Sequence, residues 1–166
     1  LNISAHGPAS MTPPATAALV APISQLAYLD CQSVTLAAPL TAVQAWRKIM
    51  AKPLPGLGLA FRIRDAIAAR FGVARIGGFS GKPVENPKAG DHLDFFLIEQ
   101  ISDDAMVLTA RDSHLDVMIS VNCDGRQLGI TASVITHNWF GRAYMLPVAP
   151  AHKLIVWAML RRLRAT

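Results

Sequence analysis

From His92 onward the chain alternates apolar and polar side chains with a period of two, in runs whose breaks are short enough to be turns. The spacing predicts strands over about 92–101, 105–111, 114–122 and 127–137, with a weaker one near 75–80. Asp103-Asp104 and Asp124-Gly125 supply turn chemistry between them, the second a hairpin signal. A parallel pairing needs a crossover of roughly a dozen residues or more, so strands joined this tightly run antiparallel.

What flanks this sheet is helical. The chain becomes structured near Tyr28, and Ser33 to Ala37 suits a short strand closed by Pro39. Thr41 and Gln44 then form a T-x-x-Q capping box ahead of Val43, Trp46, Ile49 and Met50 at helical spacing. The Lys52-Pro53-Leu54-Pro55-Gly56 run breaks that helix. A second follows on Leu59, Ile63, Ile67 and Phe71 and ends at Gly72. Pro147 and Pro150 open a last helix to about Arg164, whose Leu154 to Leu160 stretch is apolar on every side. Spanning a bilayer takes roughly 20 apolar residues, whereas His152-Lys153 and Arg161 bracket only seven. The stretch therefore reads as a helix buried on most faces against the concave side of a curved sheet, with no transmembrane segment. A peripheral membrane contact through its arginine-tipped end is the rival reading.

Composition narrows the classes. The 166 residues suit one domain, and 52% apolar against 16% charged excludes a disordered or charged fibrous chain. Two cysteines without a CxxC pair cannot make a disulfide scaffold, a zinc site or a redox motif. The net charge of +5 falls to +2 without Arg161, Arg162 and Arg164, and no basic stripe interleaved with aromatics marks a nucleic-acid surface. The first 29 residues carry no charged side chain and include Pro8, Pro13, Pro14 and Pro22. They lack the basic start of a secretory signal. Residues 1–27 are expected to be a flexible or surface-draped arm, and residues 28–166 a single cytoplasmic domain.

Several motif matches fail. Gly77-Gly78-Phe79-Ser80-Gly81-Lys82-Pro83 is one residue short of a P-loop, and Pro83 stands where the magnesium-binding hydroxyl belongs. Gly56-Leu57-Gly58 lacks the third glycine of a dinucleotide fingerprint. No nucleotide, metal or other cofactor is expected. The informative region is Asp112-Ser113-His114-Leu115-Asp116. Alternation puts Leu115, Val117, Ile119 and Val121 on one sheet face and His114, Asp116, Met118, Ser120 and Asn122 on the other. The next strand divides likewise, with Thr131, Ser133 and His137 on its polar side. That polar face either meets water or lines a cavity, where His114, Asp116 and His137 would be acid–base partners or hold a divalent metal. An earlier triplet, Asp91-His92-Leu93-Asp94, offers His92 and Asp94 as secondary candidates. Trp139 and Phe140, two large aromatics beside Gly141, are expected to pack on something. Arg142 is expected to pair with Asp116 or Asp112 or to bind an anionic ligand. His152 reads as a capping-region residue, and Cys31 and Cys123 as small apolar groups.

The order of strand, two helices, antiparallel strands and one long C-terminal helix resembles the helix-grip fold of START-like and polyketide-cyclase-like proteins. The resemblance implies an α+β domain whose curved sheet wraps the last helix and leaves a cavity. Asp112-Ser113-His114-Leu115-Asp116, His137-Asn138, Gly141-Arg142-Ala143-Tyr144 and Pro150-Ala151-His152-Lys153 together resemble a bacterial family of unknown function, over about residues 28–164. Arg62-Ile63-Arg64-Asp65 and Phe71-Gly72-Val73 support it. Members occur alone or fused behind NAD-binding, epimerase-like domains, which implies an association with such a protein. The family's D-x-H-L-D is followed by an aromatic and a basic residue, where this chain has Val117 and Met118. The resemblance implies a shared site around Asp112, His114, Asp116, His137, Asn138, Arg142 and Tyr144. Three functions stay open. The first is binding of a small apolar or amphipathic molecule between sheet and last helix, with Asp112, His137, Asn138, Trp139, Arg142 and Tyr144 as contacts. The second is a cyclase, hydrolase or isomerase using His114 and Asp116, and the third is a purely structural role.

Overall fold

In the computed structural model, which describes residues 13–51, 58, 62, 65–66, 69 and 85–164, tight turns fold the second half of the chain into a meander. Strands β1 (Tyr28–Thr35), β2 (His92–Leu93), β3 (Phe96–Ile101), β4 (Ala105–Arg111), β5 (Leu115–Asp124) and β6 (Gln127–Thr136) form one open antiparallel sheet in the order β1-β6-β5-β4-β3-β2. Gly125 closes the β5–β6 hairpin at φ +56°, a conformation glycine adopts without a Cβ penalty. The single strand expected over 92–101 is instead a small hairpin. Asp94, at φ +55°, turns the chain so that Leu93 pairs with Phe96. Short acidic side chains tolerate that left-handed geometry, and it outweighs the alternation on either side. The weak strand expected near 75–80 lies outside the described residues. So does most of the expected second helix, although Arg62, Asp65, Ala66 and Ala69 within it are helical.

Helix α1 (Ala42–Met50) starts where its capping box places it. Thr41 Oγ1 accepts from Gln44 N at 3.2 Å, and Gln44 Oε1 accepts from Thr41 N at 3.1 Å. Its buried residues, Ala42, Ala45, Trp46 and Ile49, follow one helical stripe onto the sheet. Helix α2 (Trp139–Arg164) begins eight residues before Pro147, where the sequence reading opened it, and both Pro147 and Pro150 lie inside it. Each proline withholds an N–H from the carbonyl four residues earlier. Those carbonyls belong to Ala143 and Leu146 on the exposed side, where water can satisfy them.

The expectation that α2 is buried on most faces needs correction. Met145, Val156, Met159, Leu160 and Leu163 are buried against the sheet and α1, whereas Leu154 and Trp157 are exposed. The helix lies chiefly along β1 at one edge of an open sheet, so only one of its faces is covered.

The opposite, polar face of the sheet does not line the cavity; it is covered around Ser120, Ser133 and Asn122, while its Glu99, Arg111 and His137 side stays solvated. Residues 13–27 cross it, alternate residues of the segment meeting the strand side chains. Ala18 N donates to Ser120 Oγ (3.2 Å), Val20 N to Ser133 Oγ (3.0 Å), and Asn122 Nδ2 to the Thr16 carbonyl (3.2 Å). Ser120 and Ser133 are consequently buried, and Thr131 and Thr109 on the same face are buried as well. Hydroxyls on this face give an extended segment the partners its backbone amides need. Ser133→Ala leaves the Val20 amide without its acceptor. It should cost about 1 kcal/mol, which lowers Tm by about 2–4 °C for a chain of this size, and should speed proteolysis ahead of Tyr28.

Candidate functional site

The inner face of the sheet carries a cavity of roughly 380 Å³ under α2. Register explains its floor. Tyr28, Val134, Val117 and Ala110 stand opposite one another across β1, β6, β5 and β4, and all four line the cavity. One step along, Ala132 and Ile119 continue it. Ala110 and Ala132 are too short to reach α2, and the space above them stays open. Tyr144, Met145, Val148, Ile155 and Met159 of α2 form the roof, while Trp46, Ile49, Met50, Phe95 and Phe96 form the far wall. The volume lies between two buried clusters. One gathers around α1 and the C-terminal half of α2, the other around Leu115, Val134 and Met145.

A few polar groups interrupt this lining. Tyr28 Oη donates to the Ala149 carbonyl at 3.3 Å, and its ring meets His152 edge-on at 6.0 Å. Burial, assisted by the Asp30 carboxylate, pushes the Tyr28 phenol well above its ordinary pKa. Burial also holds the His152 imidazole below the usual histidine value, partly offset by Asp30, so it is neutral at pH 7. His152 Nδ1 is shut away from solvent and has no hydrogen-bond partner among the described residues. Asp30, on the same inner side of β1, accepts from Gln32 Nε2 at 2.6 Å, and Gln32 also donates to the Lys153 carbonyl at 2.9 Å. These links tie the edge strand to α2 beneath the cavity. Burial raises the Cys31 and Cys123 thiols, leaving neither activated as a nucleophile.

The sequence-predicted residues gather mostly outside the cavity, in a clasp that fastens the start of α2 to the start of β5. Asp112 Oδ1 accepts from the amides of His114 (2.6 Å) and Leu115 (2.9 Å), turning the chain into β5. Asn138 caps α2 by accepting from Gly141 N at 2.9 Å. Its amide also donates to the Ser113 carbonyl (3.2 Å) and lies 2.8 Å from His114 Nδ1, which accepts in the Nε2-protonated tautomer. His137 N donates to the His114 carbonyl at 2.8 Å, and Phe140 packs on the His114 ring at 4.9 Å. A Cβ on Gly141 would overlap that same His114 carbonyl oxygen, so glycine is required where the helix meets the strand.

His114 and Asp116 are not a pair. β5 begins at Leu115, so His114 belongs to the turn and takes Asn138 as its partner. Asp116, on the outer face, meets His137 Nε2 at 3.1 Å and Arg111 at 3.5 Å, and Arg111 also reaches Glu99 at 3.3 Å. Neither His114 nor Asp116 lines the cavity. The expected link between His137 and Asp116 is present, and the expected ion pair of Arg142 with Asp116 or Asp112 is not. Arg142 is exposed, and Arg111 takes that place. Trp139 meets the Phe140 ring edge-on at 6.1 Å but stays largely exposed, whereas Phe140 packs on His114. Of the predicted contacts, Asp112 and Tyr144 reach the cavity wall. His92 and Asp94 are both exposed at the β2–β3 hairpin. Among the described residues no cluster of three or more His, Cys, Asp or Glu could hold a metal ion.

Sequence reasoning passed over Tyr28 and Asp30, and its reading of His152 as a capping-region residue is corrected: the helix begins at Trp139, so His152 lies within it, its ring buried beside Tyr28. The signal was there, since Tyr28, Asp30, Gln32 and Val34 share one side of β1 and Val34 packs with the core.

A family model described as a protein of unknown function (DUF2867) matches residues 22–159. No curated protein and no solved structure matches the chain.

Proposed function

We propose a binding function for this chain, which belongs to the DUF2867 family: it holds one small, largely apolar molecule in the cavity between the inner sheet face and α2. The observation that carries this reading is the cavity itself. Its roughly 380 Å³ falls within the range of small-molecule sites, and its walls are apolar apart from a few groups such as Tyr28, His152, Arg111 and Asp112. Apolar voids of that size are uncommon in close-packed interiors. The resemblance to helix-grip proteins points the same way. Beside Tyr28 and His152, the neutral phenol and imidazole favour an uncharged polar group of the ligand over an ionised one.

Titration with the neutral dye N-phenyl-1-naphthylamine tests this, with native mass spectrometry on the freshly purified protein alongside. One saturable site is expected. Ala132→Leu places extra carbons in the cavity, so it should weaken dye binding by about tenfold or more while Tm holds or rises. Equal affinity in the Leu variant, or no saturable binding in the wild type, would sink the proposal.

A further inference from the structure

The outward face of α2 is a second feature, independent of whether the cavity is filled. Trp139, Leu146, Leu154 and Trp157 are 71%, 77%, 63% and 49% exposed, and at 100° per residue they fall on one side of the helix. Arg142, Lys153, Arg161 and Arg164 are exposed and share that side or its margin. The Arg161 guanidinium lies over the Trp157 ring, 5.1 Å from its centroid. Residues 139–164 contain five Arg or Lys side chains and no Asp or Glu. Trp139 and Trp157 stand roughly 27 Å apart along the axis at 1.5 Å per residue.

We infer that this face docks flat on an anionic bilayer, with the indoles and leucines at headgroup depth and the cations against lipid phosphates. Three observations choose this occupant. The charge is of one sign, so a second copy laid face to face would set cations against cations with no acid on the helix to offset them. Large apolar side chains mixed with Arg and Lys, and bracketed by Trp, are the composition of interfacial helices. Length and mean hydropathy alone would let α2 cross a membrane, but its other face carries the core through Met145, Val156, Met159 and Leu160. A helix so engaged can offer lipid only one side.

Flotation of the full chain tests this with vesicles of pure phosphatidylcholine and of an equal mixture with phosphatidylglycerol. At low salt the protein should float with the mixed vesicles, with a blue shift of tryptophan emission, and binding should fall as salt is added. Arg142→Gln, Arg161→Gln and Arg164→Gln should each lower partitioning roughly fivefold. Leu146→Gln with Leu154→Gln should lower it by about tenfold or more while leaving the circular dichroism unchanged. No flotation with the anionic vesicles would overturn the inference, as would equal flotation with pure phosphatidylcholine. So would full binding by the leucine variant, or a dimer in sedimentation velocity that this variant dissolves without any lipid binding.

Discussion

Gly141→Ala is expected to lower Tm by about 6–12 °C, since among the described glycines an added Cβ meets its closest contact here. The methyl would fall on the His114 carbonyl oxygen, a backbone atom that already accepts from His137 N. Relief requires the first turn of α2 to move away from β5, which strains the Asn138 bonds to Ser113 and His114 together. Overpacking of this kind costs about 3 kcal/mol at the upper end of its usual range, and each kcal/mol is worth about 2–4 °C in a chain of this length. Gly129→Ala is the control. Its nearest neighbour, the Asn122 carbonyl oxygen, is 3.9 Å from the added carbon, and Tm should stay nearly unchanged. Asn138→Ala should follow Gly141→Ala in direction, because it removes a helix cap and leaves the Ser113 carbonyl without its donor. An unshifted melting curve for Gly141→Ala would mean that α2 does not start against β5 as described.

His152→Phe works in the other direction and should raise Tm by about 4–8 °C. Nδ1 of His152 is buried with no partner among the described residues, and an unsatisfied polar group of that kind costs about 1–3 kcal/mol. Phenylalanine keeps the edge-on contact with Tyr28, and the neighbouring cavity accommodates its extra volume. The variant should also change the response to acid. Burial lowers the folded-state pKa of His152, so between that value and the unfolded one, about 6.5, the unfolded chain binds a proton that the folded chain does not. Stability is therefore full above about pH 6.5 and declines as the pH falls toward the folded-state pKa. Asp30 and Tyr28 are the ionisable groups that bear on this site, and Tyr28, its pKa raised, stays protonated throughout. Urea titrations at pH 7.5 and pH 5 should show a smaller loss in His152→Phe than in the wild type. Equal losses, or a variant less stable than the wild type at pH 7.5, would show that the imidazole is satisfied where it sits.

Much of the fold is legible because its signals are local. The Thr41–Gln44 capping box lies within four residues, and the Asp124-Gly125 hairpin needs only its own two. The split of β5 into Leu115, Val117 and Ile119 on one side and Asp116, Met118 and Ser120 on the other follows from the pleat alone. Sequence and structure part where one local signal competes with another. Pro147 and Pro150 looked like a helix start, yet Asn138 with Gly141 had already begun the helix, because prolines on a solvated face leave only exposed carbonyls unpaired. His114 looked like the first residue of a strand, yet the Asp112 carboxylate holds its amide in a turn.

The candidate site was less legible, for a different reason. Alternation separates the two faces of a sheet but carries no information about what covers each. Both readings of the polar face assumed solvent or a cavity, and the chain instead lays residues 13–27 across Ser120 and Ser133. The apolar face is the one that holds the cavity, because Ala110 and Ala132 fall in register beneath a roof they cannot reach. By itself the sequence determined the antiparallel meander, the α1 cap and a long C-terminal helix, all set by residues within a few positions of one another. Only the tertiary structure decided that Tyr28, Asp30 and His152 meet, that His114 and Asp116 part, and that one face of α2 is left bare. Those outcomes depend on contacts between segments as much as about 120 residues apart, such as Tyr28 with Ala149, whose geometry no local periodicity encodes.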